Sequence, residues 1–411
     1  MKFKLLLLAS LFAANLSIVA QSNKDMKEVK YRRSSLHTIL VESASFPKKD
    51  LVIKAYNNAE FPNKYDNHNI GDKSFDLKKY TTDTDDSKAP EAIAKYLKEN
   101  QIAKKLVSKW YNRKADGSFD GDLIASRGLF NASYIDGKSG GNLAEGILQA
   151  AGKELLNNTF VIVNNMKFVE NEPVARVARD LALTQAAKIG MEMLRNKAID
   201  LANKGYDIAK EGYSVWTTSY LFKLKWDEVT EGTFNKEMLA KAAKITPEKK
   251  LAFDKSEIFE MEFVGTEKAT TLVTFSLNGK RTEEEVINLS VNRNLDKVYA
   301  KLQKNYDVFK TKVPLFSGQP ITAKIGIKEG LEGGEKFEVL EANENEATGE
   351  ITYKSVGTIK VDKDQIWDNQ YNLINGKPAA METDPSKPAL ESTTFNGGKK
   401  FETGMLIRQL K

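Results

Sequence analysis

The sequence changes its character at Pro314, and this change constrains the fold more than any other feature. Before Pro314, stretches with helical spacing of apolar residues are mixed irregularly with strand-like stretches. After it, only short strand-like stretches occur, separated by turn residues and by a predicted long loop from 369 to 398. The irregular order argues against repeated βαβ units. We therefore predict an α+β protein: a helix-covered antiparallel or mixed sheet domain followed by a small all-β, barrel-like C-terminal domain.

The domain boundaries follow from these patterns. We predict a signal peptide at 1–20, an N-terminal extended and loop-rich segment at 21–90, the α+β domain at 91–312 and the small β-barrel domain at 313–411. Two stretches of the second segment are rich in β-branched residues and predict strands, "SSLHTILVES" and "DLVIKAYNNA".

The N-terminal stretch "MKFKLLLLASLFAANLSIVAQ" has the composition of a secretory signal, because Lys2 and Lys4 precede an apolar run that ends in small residues. We expect cleavage after Ala20 and export to the periplasm, with the cell exterior as the alternative. The chain contains no cysteine, which excludes disulfides and lipid attachment through cysteine. No later stretch is apolar enough to span a bilayer, so we expect no transmembrane segment in the mature chain, and peripheral membrane association stays open.

Apolar residues spaced three and four apart indicate the helices. The stretch "PEAIAKYLKENQIAKKLVSKWYN" predicts one continuous helix that begins near Pro90. A long helical region covers 172–212, where Leu194, Ala198, Leu201 and Ile208 fall on one side. We expect this stripe to lie in the protein's own core, and packing of a partner helix on it is the alternative. Two strands of a hairpin that turns at "TEK" are predicted by "EIFEMEFVG" and "ATTLVTFSLNG".

Glycines are concentrated in "GIKEGLEGGEKFEVLE", where Gly326, Gly330, Gly333 and Gly334 occupy nine residues. A phosphate-binding loop needs a glycine turn that leads into a helix, whose N-terminal amides bind the anion. Here a strand-like stretch follows, so we predict that the glycines provide positive φ angles for turns between strands. Loops on a rigid scaffold often carry recognition. The candidate partner-binding turn is therefore Gly330, Leu331, Gly333 and Gly334.

Motifs of nucleophilic catalysis are incomplete. The stretch "GKSGG" matches the G-x-S-x-G nucleophile elbow around Ser139, but that fold needs a histidine after the serine, and both His37 and His68 precede it. The stretch "SFPK" gives Ser45 and Lys48 an S-x-x-K spacing without the accompanying motifs. We expect the two histidines to make ordinary hydrogen bonds, and we predict no catalytic residue and no cofactor.

Metal ligands are scarce. A chain with no cysteine and two histidines lacks the ligands of a usual structural zinc site. The stretch "DGSFDGDLIASR" begins like a calcium-binding EF-hand loop at Asp116, Ser118 and Asp120, but Arg127 stands where a bidentate glutamate is required. We predict a turn rich in Asp and Gly here, and no metal-binding residue.

The charge distribution argues against nucleic acid. The 62 basic and 56 acidic residues leave a formal charge of +6 over 411 residues, and no basic block stands out. We therefore expect a protein partner, either another envelope protein or a second copy of the chain. The tryptophans lie in helix-like or strand-like stretches, where we expect core packing: Trp110, Trp216, Trp226 and Trp367.

The C-terminal part resembles a small β-barrel module found at the C-termini of bacterial envelope proteins, including flagellar assembly factors. The resemblance lies in "IGIKEGLEGGEKFEVLE" and "VGTIKVDKDQIWD", and it implies a non-catalytic barrel. The matching positions are Gly326, Gly330, Leu331, Gly334, Phe337 and Val339.

The whole mature chain also resembles a family of uncharacterised exported proteins of Bacteroidota, which implies a location but no activity. The matching stretches are "YRRSSLHTILVES", "FPNKYDNHNI", "SRGLFNAS", "LLNNTFVIVNNMKFV" and "GMLIRQL". The order of "SRGLFNAS", a helix and "NNTFVIVNN" is similar to the periplasmic α+β domain of curli-type secretion channels. The membrane-spanning hairpins of those channels are not evident in the sequence.

Three functions stay open at this point. The export signal, the incomplete catalytic motifs and the barrel module favour a non-catalytic binding protein of the cell envelope, acting as a scaffold or assembly accessory. The first alternative is an exported hydrolase of the glycoside hydrolase type that uses carboxylates alone, because facing carboxylates cannot be recognised from sequence spacing. The second alternative is a calcium- or glycan-binding surface protein.

Overall fold

The computed structural model describes residues 34–83, 86–124, 154–275, 281–344, 351–371, 373–374, 377–378 and 390–410. The helices are α1 (Lys49–Asn57), α2 (Ala89–Glu99), α3 (Ile102–Trp110), α4 (Asn171–Ala186), α5 (Glu192–Ala209), α6 (Glu228–Thr233), α7 (Pro247–Lys255) and α8 (Glu283–Asn305). The strands are β1 (Ser35–Val41), β2 (Asp66–Asn67), β3 (Ser74–Phe75), β4 (Thr159–Glu170), β5 (Gly212–Leu224), β6 (Met261–Thr274), β7 (Val313–Gly318), β8 (Ile321–Ala323), β9 (Lys336–Glu344), β10 (Ile351–Val361), β11 (Leu373–Ile374), β12 (Lys377–Pro378), β13 (Thr393–Asn396) and β14 (Leu406–Gln409).

The first sheet has the strand order β2-β1-β4-β5-β6, and β3 also pairs with β1. β1 is parallel to β2, β3 and β4, whereas the pairs β4–β5 and β5–β6 are antiparallel. The sheet is therefore mixed, and the predicted α+β class is confirmed. Since β1 lies inside this sheet, the described part of the segment 21–90 is built into the α+β part of the molecule.

Helices cover both faces of this sheet because β1 and its neighbours are apolar on both sides. Leu36 and Leu40 pack with α1 and α8 on one face. Ile39 and Val41 pack with α2 and α3 on the other face, as expected for a strand whose successive side chains alternate. A third cluster is rich in aromatic residues and contains Trp110, Tyr111, Phe119, Trp226, Phe234, Phe253 and Phe259.

The C-terminal strands close into a barrel in the order β10-β13-β8-β7-β14-β9, and all neighbouring pairs are antiparallel. The predicted small barrel is thus confirmed. The loop prediction for 369–398 was wrong at β13, which pairs with both β8 and β10. The interior is filled by Leu315, Ala323, Phe337, Val339, Ile359, Val361, Phe395 and Ile407.

Two local predictions in the N-terminal half were wrong. The stretch "DLVIKAYNNA" forms α1 and not a strand, because Val52, Ala55 and Tyr56 recur at helical spacing and are buried together. The helix predicted from Pro90 is two helices, α2 and α3, although Pro90 does lie in the first turn. The chain breaks at Gln101, whose φ is +52°, and both helices thereby reach the same core cluster.

The predicted hairpin at "TEK" was also wrong, because residues 261–265 of the first stretch and 269–274 of the second belong to the single strand β6. Thr266, Glu267 and Lys268 continue the pairing with β5. The strand shifts register next to Gly265, where a Cβ atom would lie 2.2 Å from the ring of Tyr306. The Tyr306 hydroxyl accepts from the Thr266 amide (2.9 Å) and donates to its carbonyl (3.0 Å). The close contact with Tyr306, and not a turn, therefore explains why position 265 is a glycine.

Candidate functional site

A cleft of 480 Å³ lies where the sheet meets the barrel. Residues 270–272 of β6 form one wall, Ala300 of α8 lies between the walls, and residues 327–332 of the barrel form the other wall. Domain junctions with clefts of this volume are typical places for ligands. The cleft is therefore the first candidate site.

A capping box fixes where α8 begins, and its core contacts fix which side of the helix faces the cleft. The Glu285 amide donates to Thr282 Oγ1 (3.2 Å), and the Thr282 amide donates to Glu285 Oε2 (2.8 Å), which together form a capping box. Val291, Leu295 and Leu302 lie in the core against the sheet. A different side of the helix is thereby turned toward β6 and the cleft.

Lysines of α8 cover the outer edge of β6, the last strand of the described sheet. Lys297 Nζ donates to the Thr270 carbonyl (3.0 Å), and Lys301 Nζ donates to the Lys268 carbonyl (2.8 Å). Four residues of a helix rise about 6 Å and two residues of a strand about 6.6 Å, so the spacing of the two lysines matches the spacing of the two carbonyls. Charged side chains at a sheet edge hinder the addition of another strand.

Sequence reasoning missed these lysines. The available signal was the spacing of Lys297, Lys301 and Lys304, which places all three on one side of a helix. Such a side is usually a solvated surface, and only the structure shows that β6 and the barrel lie next to it.

A network of charges joins the α+β part to the barrel beside the cleft. Lys328 Nζ lies 2.7 Å from Glu60 Oε2 and 3.7 Å from Asp296 Oδ1. Lys64 pairs with Glu329, and both of these side chains are largely buried. Because a buried charge without a partner is costly, these pairs tie the first part of the chain to the barrel turn.

Two carboxyl groups of this network have their pKa values shifted in opposite directions. Burial raises the pKa of Asp296 to about 7, against the influence of the nearby lysines. Burial also disfavours the charged form of Glu329, but Lys64, Asn369 and the Gly326 amide bind the carboxylate and hold its pKa below the usual value. Glu329 is therefore ionised at neutral pH, whereas Asp296 titrates near it.

The glycine-rich turn has the predicted backbone, since φ is +78° at Gly330, +111° at Gly333 and +95° at Gly334. It leads into β9, so the interpretation as a turn between strands is confirmed. Gly330 and Leu331 line the cleft, whereas Gly333 and Gly334 lie against Lys363 and Lys360. Leu331 is 2% exposed and belongs to the barrel core. Recognition by this turn stays a prediction, and Leu331 could contribute to it only by holding the turn in place.

A helical arm, formed by α4, α5 and the residues between them, is the second candidate site. The helical prediction for 172–212 is confirmed except at residues 187–191, which connect the two helices, and at residues 210–212, where β5 begins. At the base of the arm, the buried Asn171 donates to the Val273 carbonyl (3.0 Å) and accepts from Ser214 Oγ (2.8 Å). The arm is therefore rooted in β5 and β6 by fixed polar contacts.

The two helices of the arm pack on each other through small residues. Ala175 and Ala186 of α4 are buried, and Tyr206 Oη donates to Glu172 Oε1 across the pair (2.9 Å). No residue of α5 is buried. The arm thus has an internal seam but little core of its own.

The outer surface of the arm carries apolar side chains that the described residues leave about half exposed or more. Leu194, Leu201 and Ile208 are 50%, 62% and 49% exposed, so the prediction that this stripe lies in the core was wrong. Helical spacing shows which side chains share a side of a helix, but it does not show what packs on that side. Further exposed apolar residues of the arm are Val177, Leu181, Met191 and Met193.

The histidines make ordinary hydrogen bonds, as predicted. His37 Nε2 lies 2.8 Å from the Asp72 carbonyl, and His68 Nε2 lies 3.0 Å from the Leu106 carbonyl. Burial lowers the pKa of His37 to about 4, so this side chain is neutral at physiological pH.

The tryptophans differ from the prediction at one position. Trp110 and Trp226 are buried and Trp367 is half-buried, but Trp216 on β5 is 51% exposed. Its position on a strand predicted burial, yet the described helices cover only part of that face of the sheet.

The calcium-like stretch forms the predicted turn, in which Asp116 Oδ1 accepts from the Ser118 amide (2.8 Å) and hydroxyl (2.6 Å). Within the described ranges, no three His, Cys, Asp or Glu side chains come together as a possible metal site. Arg127 and the "GKSGG" stretch around Ser139 lie outside the described residues. In "SFPK", the Ser45 hydroxyl lies 2.7 Å from that of Ser43.

No protein-family model matches the chain, and no curated protein matches its sequence. The fold therefore defines the class: a mixed, helix-covered sheet with a helical arm, joined to a closed antiparallel barrel. None of the helices in the described part of the chain is both long enough and apolar enough to cross a membrane.

Proposed function

We propose that the chain is a non-catalytic binding protein of the bacterial cell envelope, a scaffold or assembly accessory that holds a partner protein on its helical arm. The observation that carries this proposal is the exposed stripe of Leu194, Leu201 and Ile208 on a helix without buried residues. Contiguous exposed apolar surface marks interaction sites. Full burial of an exposed Leu or Ile contributes about 1.5–3 kcal/mol, and covering the half that is exposed here contributes roughly half of that for each side chain.

The location and the kind of partner rest on the sequence. The features of a secretory signal at 1–20 support export, to the periplasm or to the cell exterior. The likeness of the barrel to a module of envelope assembly proteins supports a role in an assembly. The partner is then another envelope protein or a second copy of the chain.

One observation favours a carboxylate hydrolase as a second candidate. Asp296 and Glu329 both line the cleft, and opposite pKa shifts are what an acid and its partner carboxylate require. However, Lys64 occupies one oxygen of Glu329, and the Gly326 amide and Asn369 Nδ2 occupy the other (2.7 and 2.8 Å). A carboxylate bound by three donors is a poor base and a poor nucleophile, which favours the binding function.

The binding function is tested with two matched double variants of the full chain, used as bait in envelope extracts. L194S/L201S removes two of the three stripe residues, whereas N196S/N203S changes two exposed residues about 200° further around the same helix. We expect the wild type and N196S/N203S to retain the same partner, and L194S/L201S to retain about tenfold less of it. Equal recovery by all three baits, or no reproducible partner, contradicts the proposal.

The hydrolase is tested separately with purified protein and chromogenic glycosides. The binding function predicts no turnover above that of the D296N variant. Turnover that disappears in D296N would show catalysis in the cleft and would replace the proposed function.

A further inference from the structure

α8 gives the cleft a positively charged side. Lys297, Lys301 and Lys304 line the cleft together, because spacings of three and four residues return to the same side of a helix. The carbonyls of Thr270 and Lys268 hold the first two ammonium groups (3.0 and 2.8 Å). Alternate carbonyls of a strand are about 6.6 Å apart, so these two ammonium groups are fixed about 6–7 Å from each other.

The carboxylates of the cleft do not balance this charge. Three carboxyl groups line the cleft: Asp296 pairs with Lys328, Glu329 pairs with Lys64, and Glu332 is exposed in the barrel turn, so at most one acidic group faces three lysines. Among the described residues, no carboxylate forms an ion pair with the three lysines of α8. A carbonyl is neutral, so each bound ammonium keeps its full charge and two further protons to donate.

The size and lining of the cleft indicate an organic ligand. Its volume of 480 Å³ lies within the range of about 300–1,000 Å³ for small-molecule pockets. Next to the lysines, Leu272, Ala300 and Ile327 supply apolar surface. A ligand that uses both kinds of surface has acidic groups joined by a carbon skeleton.

We propose that the cleft binds a small organic dianion whose acidic groups contact Lys297 and Lys301, about 6–7 Å apart, while its carbon chain lies against Leu272 and Ala300. Carboxylates and phosphates both accept charge-assisted hydrogen bonds from ammonium groups. No residue of the arm is among the described residues that line the cleft, and the proposal does not depend on the protein partner.

The test is calorimetric titration of the full chain with linear dicarboxylates of increasing length and, in parallel, with linear alkane bisphosphates. Among the dicarboxylates we expect adipate to bind best, because five carbon–carbon bonds of about 1.5 Å place its carboxyl carbons about 6 Å apart. Malonate is too short to reach both lysines. The comparison of the two series shows which acidic group the site takes.

Charge variants identify the site. K297Q and K301Q are each expected to weaken adipate binding about tenfold, since each loses a hydrogen bond from a charged donor. K301R keeps the charge and retains binding. K204Q, which removes an exposed lysine of the arm, leaves binding unchanged.

Several outcomes overturn the proposal: no heat with either series, equal affinity for all chain lengths, or adipate binding that is unchanged in K297Q and K301Q. Circular dichroism and the thermal midpoint check that the variants fold. If both edge variants unfold, K304Q takes their place, because the structure shows no hydrogen bond from Lys304 to β6 among the described residues. K304Q removes positive charge from the cleft without removing either proposed contact, so we expect a smaller loss of affinity and the same preference for adipate over malonate. Loss of that length preference contradicts the site.

Discussion

Asn164 of β4 shows how a single buried residue can position two helices. Its Nδ2 donates to Tyr56 Oη of α1 (2.8 Å) and to Tyr299 Oη of α8 (3.2 Å), and its Oδ1 accepts from Ser219 Oγ (2.5 Å). All of these groups are buried, where polar atoms need partners. Asn164 therefore fixes both helices against the sheet, and with α8 it fixes one side of the cleft.

The substitution Asn164→Ala removes the donor that the two tyrosine hydroxyls share. We expect the free energy of unfolding to fall by about 1–3 kcal/mol, measured by urea denaturation. Asn196→Ala on the exposed side of the arm is the control and should change it by less than about 0.5 kcal/mol. Equal stability of the two variants would contradict the role of Asn164.

Asp296 gives a pH dependence. Its pKa is about 7 in the folded protein and 3.8 ordinarily, so the folded state holds a proton that the unfolded chain releases. The stability from this group is fully present below about pH 4 and is lost as the pH rises through about 7. Asp296→Asn cannot ionise.

The unfolding free energy of the wild type should therefore fall relative to that of Asp296→Asn as the pH rises from about 5 to about 8. Urea denaturation at the two pH values measures this difference. Asp207→Asn, at an exposed position of the arm, serves as the reference for a general effect of charge removal. A difference that stays constant with pH for Asp296→Asn excludes the raised pKa.

At the scale of elements, sequence patterns predicted what depends on local spacing. They gave the helices of 172–212, the helix start near Pro90 and the positive φ angles of the glycine turn, because apolar spacing, proline in a first turn and glycine spacing act locally. They failed at "DLVIKAYNNA", where burial of one side of the stretch favours a helix. They also failed at "TEK", where Gly265 makes room for Tyr306 and does not mark a turn. The cleft could not be predicted, because its lysines become a site only when α8, β6 and the barrel meet.

Two glycines in different elements should respond oppositely to alanine. Gly333 has φ of +111°, and a Cβ atom there would lie 2.7 Å from Lys363 Cβ, so Gly333→Ala should lower the unfolding free energy by about 1–2 kcal/mol. Gly205 lies inside α5 with open space around it, and Gly205→Ala should stabilise that helix by about 0.8–1 kcal/mol. Urea denaturation measures the first effect, and amide hydrogen exchange along α5 measures the second. A neutral Gly333→Ala would contradict the requirement for glycine in the turn.

At the scale of the whole molecule, ion pairs join the α+β part to the barrel, and the arm extends from the sheet. The ion pairs Lys328–Glu60 and Lys64–Glu329 join the barrel turn to the first part of the chain. In contrast, the arm is held at its base and exposes its apolar stripe. Under the proposed function, the sheet and the barrel position the arm, and the arm binds the partner.

Photo-cross-linking along α5 in cells that produce the full chain tests this assignment most directly. A photoreactive residue is placed singly at positions 194, 201 and 208 of the stripe, and at positions 196 and 203, which are also exposed but lie about 200° from 194 and 201. If the arm binds the partner, the same protein adduct forms at all three stripe positions and none forms at 196 or 203. Adducts of equal yield on both sides of the helix, or none along the stripe, would contradict it.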